Sequence, residues 1–173
     1  MFPPPAGAGI QRDRRAAFVP TPSDVVQRML RMAGVTKADV VCDLGSGDGR
    51  IVIAAAQDHG ARGIGYEIDP QLVRLSRQAI EQRQLRKLVT IEDEDMYTAD
   101  LSSATVVSVY LPEEFLEKLK PKFAPLKPGT RIVSHQFRIP GVVPEKEIEV
   151  ESKEDGLLHK IYLWTTPLKE TGK

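Results

Sequence analysis

The sequence predicts an α/β fold: a mostly parallel, seven-stranded sheet with helices on both faces, closed by a C-terminal antiparallel hairpin. Three observations predict it. Short apolar runs alternate with amphipathic stretches at helical spacing from Val40 to Phe137. The first of those runs leads into a glycine-dense turn, Gly45-Ser46-Gly47-Asp48-Gly49, followed at once by a helical pattern. The last two strand-like runs, residues 146–151 and 159–165, flank the turn signal Glu154-Asp155-Gly156.

In chain order, Thr21-Pro22-Ser23-Asp24 opens the first predicted helix. Thr21 is suited to cap it, Pro22 to its first position and Asp24 to its positive end. Val25, Val26, Met29, Leu30 and Ala33 recur at helical spacing, and Gly34 stops the helix. Residues 40–44 form the first strand. A helix from 50 to about 57 carries Ile51, Val52, Ala54 and Ala55 for packing. The second strand, 63–68, is followed by a helix from 70 to about 84 with Leu72, Val73, Ser76 and Ile80 turned inward. Strands are predicted at 88–92, 106–111 and 131–137, with a helix from 112 to about 120 that puts Phe115, Leu116 and Leu119 on one face.

The 173 residues suffice for one domain, with 41% hydrophobic and 28% charged residues, as expected of a globular protein. We expect a flexible Pro- and Gly-rich arm over 1–17, the folded domain over 18–167 and a short tail over 168–173. Arg12, Arg14 and Arg15 in the arm either form a solvated charged segment or cross the mouth of a site. Lys plus Arg equals Asp plus Glu at 24 each, which argues against a general nucleic-acid binder. The single cysteine, Cys42, allows no internal disulfide and argues against a Cys-based zinc site; no metal is expected. No apolar run is long enough for a membrane span, and Met1–Gly9 lacks the features of a secretion signal. The expected location is cytoplasmic.

The glycine turn carries the first chemical signal. Gly45 suits the sharp turn, Gly47 a close approach of backbone to a ligand, and Gly49 the packing of the next helix near the sheet. The turn lacks the Gly-Lys-Ser/Thr ending of a phosphate loop, and Asp43 and Asp48 would repel a triphosphate. They suit a ligand with a positive amino group, such as the methionine end of S-adenosyl-L-methionine. Glu67, 22 positions after Gly45, ends the second strand, where a carboxylate can accept from both ribose hydroxyls. Within Glu92-Asp93-Glu94-Asp95-Met96, Asp95 is the candidate for the adenine amino group, with Met96 or Tyr97 against the ring. After the fourth strand, Tyr110 is a candidate for lining a methyl-transfer channel and Glu113 for orienting a substrate amine. His135, ending the fifth strand, is either a proton acceptor or a structural residue.

With these residues in view, the chain resembles the class I, Rossmann-like methyltransferases. More narrowly it resembles a small family of protein lysine methyltransferases whose eukaryotic members modify the ATP synthase c-subunit and the adenine nucleotide translocase. The resemblance spans about Phe18 to Pro140. It rests on Phe18-Val19-Pro20-Thr21-Pro22, Asp43-Leu44-Gly45-Ser46-Gly47-Asp48-Gly49-Arg50-Ile51-Val52, Gly65-Tyr66-Glu67-Ile68-Asp69-Pro70, Val109-Tyr110-Leu111-Pro112 and Arg131-Ile132-Val133-Ser134. It implies that Val19, Pro20 and Thr21 close over the methionine moiety, that Asp43, Gly45 and Gly47 bind its amino-acid end, and that Glu67 and Asp95 hold ribose and adenine. The implied partner is a protein with an accessible lysine. Met1–Gly9 does not resemble the hydrophobic targeting segment of the eukaryotic members, which counts against membrane-embedded substrates. The Asn/Asp-Pro-Pro-Phe/Tyr motif of many amide and nucleobase methyltransferases is missing. Three alternatives remain: a small-molecule acceptor, a nucleic-acid acceptor met by the arm arginines and the Arg74/Arg77 face, or S-adenosylmethionine binding without catalysis.

Overall fold

The structure, a computed structural model, describes residues 17–172. Predictions on Arg12, Arg14 and Arg15 lie outside these residues. The elements in order are α1 (Ser23–Met32), β1 (Val40–Leu44), α2 (Arg50–His59), β2 (Arg62–Glu67), α3 (Pro70–Gln82), β3 (Val89–Asp93), β4 (Val106–Val109), α4 (Glu113–Phe123), β5 (Arg131–His135), β6 (Lys146–Glu151) and β7 (Leu158–Thr165). The seven strands form one sheet in the order β3-β2-β1-β4-β5-β7-β6. The first five are parallel; β7 runs antiparallel to both β5 and β6.

The central strands are apolar because both their faces are covered. All five residues of β1 are buried. Alternation sends Val41, Val106 and Val133 to one face, against Val25, Met29 and Ile51 of α1 and α2. On the same side, Val52 and Ile53 of α2 meet Val73 and Ile80 of α3 over Val89 and Ile91. Cys42, Leu44, Val107 and Ile132 point the other way, onto Phe115, Leu116, Leu119 and Phe123 of α4. Loop residues Met96, Ala99 and Leu101 complete that side, so three helices cover one face and one helix with a packed loop covers the other.

Several predicted boundaries moved for local reasons. The strand predicted over 131–137 ends at His135, because Gln136 takes a left-handed backbone (φ 70°) and the Ser134 hydroxyl donates to the Phe137 carbonyl, closing a turn. The strand predicted over 106–111 ends at Val109, which leaves Tyr110 at the sheet's carboxyl edge. α4 passes through Pro121 to the buried anchor Phe123. Thr21 does not cap α1: its hydroxyl bonds His135 instead. The first amide of that helix, Ser23 N–H, donates to the Glu154 carboxylate in the β6–β7 turn. Asp24 accepts from the Ser152 hydroxyl and the Lys153 amide, which bolts the start of α1 to the same turn. Leu168 packs on the core and Glu170 bridges to Val142, so the segment after β7 returns along residues 141–143. Among the described residues no helix is long and apolar enough to cross a membrane, and no three His, Cys, Asp or Glu side chains are grouped to hold a metal.

Candidate active site

β1 has β2 on one side and β4 on the other, so the chain's crossovers leave it in opposite directions and open a crevice at its carboxyl end. A cavity of about 450 Å³ occupies that crevice. Its floor is the glycine turn after β1. Gly45, Gly47 and Gly49 all take positive φ (73°, 57° and 79°), a backbone that residues with a Cβ adopt only under strain. Gly45 and Ser46 both donate their amides to the Tyr66 carbonyl, which folds the turn against β2. β2 accommodates this through Gly65, where an added Cβ would lie 2.6 Å from Ser46 Oγ and 2.7 Å from Ile91 Cδ1.

Glu67 is buried at the end of β2 and organises the floor. One carboxylate oxygen accepts from Gly47 N–H at 2.8 Å; the other accepts from Ile68 and Asp69 N–H at 2.8 and 2.9 Å. Three of its roughly four acceptor positions are thus engaged, leaving about one for a ligand hydroxyl. Asp43 lies at the base of the cavity, 3% exposed, accepting from the Ser108 hydroxyl at 2.7 Å. Burial first, then the nearby Glu67 and Asp48 carboxylates, push its carboxyl up to about 7, against the pull of Ser108. Such a group is relieved by a cation. Ser46 Oγ, also in the wall, is buried and has no hydrogen-bond partner among the described residues. An unpaired hydroxyl and a strained carboxylate in one cavity fit a ligand that carries both polar acceptors and a positive charge.

Asp48 and Arg50 form a bidentate pair, and Arg50 Nη1 donates to the Thr21 carbonyl at 2.8 Å. This ties the segment before α1 across the cavity. Phe18 lies over the glycine turn, with Cε2 only 2.3 Å from where a Gly47 Cβ would stand. On the opposite wall, Asp95 accepts from the Tyr97 amide and Met96 presents from the core. Tyr110 packs on two rings, tilted 40° to His135 at 4.0 Å and stacked on Phe137 at 6.2 Å, and burial raises its hydroxyl pKa.

Of the twelve candidate residues, nine line the cavity: Val19, Pro20, Thr21, Asp43, Gly45, Glu67, Asp95, Met96 and Tyr110. Three do not. Gly47 is covered by Phe18. Glu113 is exposed at the start of α4, and its neighbour Glu114 enters the wall instead. His135, 1% exposed, stands behind Tyr110. Residues the motifs did not single out also line the site: Ser46, Leu72, Glu114 and Phe137. Leu72 was expected inward; it is half-buried because it faces the cavity rather than the core.

Residues 43–146 match the family model of the ANTKMT methyltransferase domain. The chain is 42% identical over 149 residues to a protein-lysine N-methyltransferase of Saccharolobus islandicus, covering 85% of this chain and 91% of that protein. It is 30% identical over 129 residues to the ATP synthase c-subunit lysine N-methyltransferase of Xenopus laevis, covering 74% of this chain but 56% of that protein. Among solved structures, the RNA methyltransferase of Salinibacter ruber in complex with S-adenosyl-L-homocysteine superposes with a TM-score of 0.82 at 44% identity, covering 90% of this chain and 98% of that one.

Proposed function

This chain belongs to the ANTKMT methyltransferase domain family, and from that premise we propose that it transfers a methyl group from S-adenosylmethionine to the side-chain nitrogen of lysine in a protein. The observation that carries the choice of acceptor is the charge of the cavity wall. Among the described residues it holds seven carboxylates (Asp43, Asp48, Glu67, Asp69, Glu94, Asp95 and Glu114) and one guanidinium, Arg50, which is already paired with Asp48. Asp43, Glu67 and Asp95 would serve the cofactor whatever the acceptor. Glu114 enters from the first turn of α4, four residues after Tyr110, and favours a cationic side chain over a phosphate backbone.

The cofactor supplies an electrophilic methyl group on a positive sulfur. Asp43 would take its ammonium group, Glu67 one ribose hydroxyl through its remaining acceptor position and Asp95 the adenine amino group, with Met96 lining the adenine end. Val19, Pro20 and Thr21 close over the methionine end. The lysine must arrive neutral to offer a lone pair. With an unperturbed pKa of ≈ 10.4, about one in a thousand is neutral near pH 7.4, which costs about 4 kcal/mol. Carboxylates attract the ammonium but hold its proton, so Glu114 acts in capture. Tyr110 orients the amine: its hydroxyl stays un-ionised, because burial raises its pKa, and it is held between two rings. Placement of the amine supplies much of the rate.

A second reading, RNA as acceptor, is favoured by one observation, the likeness to the RNA methyltransferase of Salinibacter ruber. Transfer of tritiated methyl from S-adenosylmethionine into host-cell lysate separates the two. Label that resists ribonuclease, is released by protease and maps to lysine by mass spectrometry supports the proposal; label in RNA overturns it.

A further inference from the structure

Outside the cavity wall, three titratable side chains form a hydrogen-bonded row. Asp155 in the β6–β7 turn lies 3.1 Å from His159 Nε2, His159 Nδ1 lies 2.8 Å from His135 Nε2, and His135 Nδ1 lies 3.0 Å from Thr21 Oγ1. The face of His135 also packs on Tyr110. Thr21 and Tyr110 both line the cavity, so one buried imidazole touches two of its walls.

The donors in this row can be assigned. A carboxylate only accepts, so His159 Nε2 donates to Asp155. Nδ1 of neutral His159 then accepts from His135 Nε2–H, and His135 Nδ1 accepts from the Thr21 hydroxyl. Hydrogen bonds therefore all point from Thr21 toward Asp155. We propose that His135 and His159 are positioning residues for methyl transfer: the row fixes Thr21 and Tyr110 in the cavity wall. The inference rests on reading the cavity as a methyl-transfer site.

Burial, then the facing His159, push His135 down to about 4, and Asp155 only partly offsets them, so the His135 ring is neutral near pH 7 and its Nδ1 can accept from Thr21. Thr21 faces His135 from the segment before α1, Tyr110 from the end of β4 and His159 from β7. Asp155 faces His159, with Asp24 of α1 adding negative charge beside it.

The test uses the full chain, tritiated S-adenosylmethionine and host-cell lysate protein as acceptor. His159→Leu removes the acceptor for His135 Nε2–H and strands a buried donor; kcat at saturating cofactor should fall about tenfold. His159→Asn keeps an acceptor oxygen near the Nδ1 position, so it should recover most of that loss. A His159→Leu variant with the parent's kcat, or a His159→Asn variant no faster than His159→Leu, would each overturn the inference. Where the Leu variant does not fold, His159→Ala takes its place in the comparison with the Asn variant and the parent. A parent that transfers no methyl group overturns the reading beneath the inference, and the inference with it; an active parent matched by its variants overturns the inference alone.

Discussion

Replacing Asp43 by Asn should stabilise the cofactor-free protein at alkaline pH while weakening cofactor binding. Asp43 is sealed at the base of the cavity with one hydroxyl donor, beside Glu67 and Asp48, and its carboxyl is raised from 3.8 to about 7. The folded chain therefore keeps a proton that the unfolded chain has already released. Stability falls as pH rises from about 4 to about 7, then levels off. At 1.36 kcal/mol per pKa unit, the full cost above pH 7 is on the order of 4 kcal/mol, and near pH 5 it is on the order of 1.5 kcal/mol. Asn keeps the acceptor for Ser108 and has no charge to bury. The stability of Asp43→Asn relative to the parent should thus grow by about 2–3 kcal/mol between about pH 5 and 8, roughly 5–10 °C in melting temperature for a chain of this size. Titrations elsewhere occur in both proteins and cancel. The assay is thermal melting at both pH values with and without S-adenosylhomocysteine. The ligand should restore the parent at alkaline pH and do little for the variant, since the ammonium partner of Asp43 is lost. A stability gap that does not change with pH, or equal ligand affinity in both proteins, would refute the reasoning.

The remaining predictions test other parts of the site. Glu67→Gln sets an amide N–H₂ against at least one of the three backbone amides that the carboxylate receives; it should cost about 2 kcal/mol in denaturant melts and weaken S-adenosylhomocysteine binding by calorimetry. Gly65→Ala drives a methyl group into Ser46 and Ile91, and should lose about 1–3 kcal/mol with cofactor binding reduced in parallel. Tyr110→Phe removes a hydroxyl without changing the ring stack; kcat should drop about tenfold while the calorimetric Kd for S-adenosylhomocysteine stays within about twofold. His135 is depressed from 6.5 to about 4, so the unfolded chain takes up a proton that the folded chain refuses; stability should fall by on the order of 3 kcal/mol as pH drops from about 6.5 to about 4, and His135→Asn should flatten that slope.

Much of this molecule was legible in the amino-acid sequence. Apolar periodicity is a local property, so the seven strands, the helices and the closing hairpin could be read from runs of a few residues. The glycine turn was equally legible, because three left-handed positions within five residues demand glycine whatever surrounds them. Asp43, Glu67, Asp95 and Tyr110 could be placed at the cavity because each stands at or just beyond the carboxyl end of a parallel strand, and such ends converge.

What stayed hidden lies where chain direction stops being regular. Past a strand end no alternation says which way a side chain turns, so Glu114 rather than Glu113 faces the cavity; His135, still inside β5, stands behind Tyr110 because the strand ends there rather than at Phe137. Hydrogen-bond partners were hidden for the same reason. Thr21 reads as a helix cap from its neighbours, yet its hydroxyl is taken by a histidine 114 positions away. His159 shows no ligand spacing in the sequence, because its partners are Asp155 across a turn and His135 across a strand pair. Local pattern dictates which elements form and which ends meet. The sharing of buried donors and acceptors among those ends is a many-body balance, and it is settled once the sheet has brought distant segments into contact.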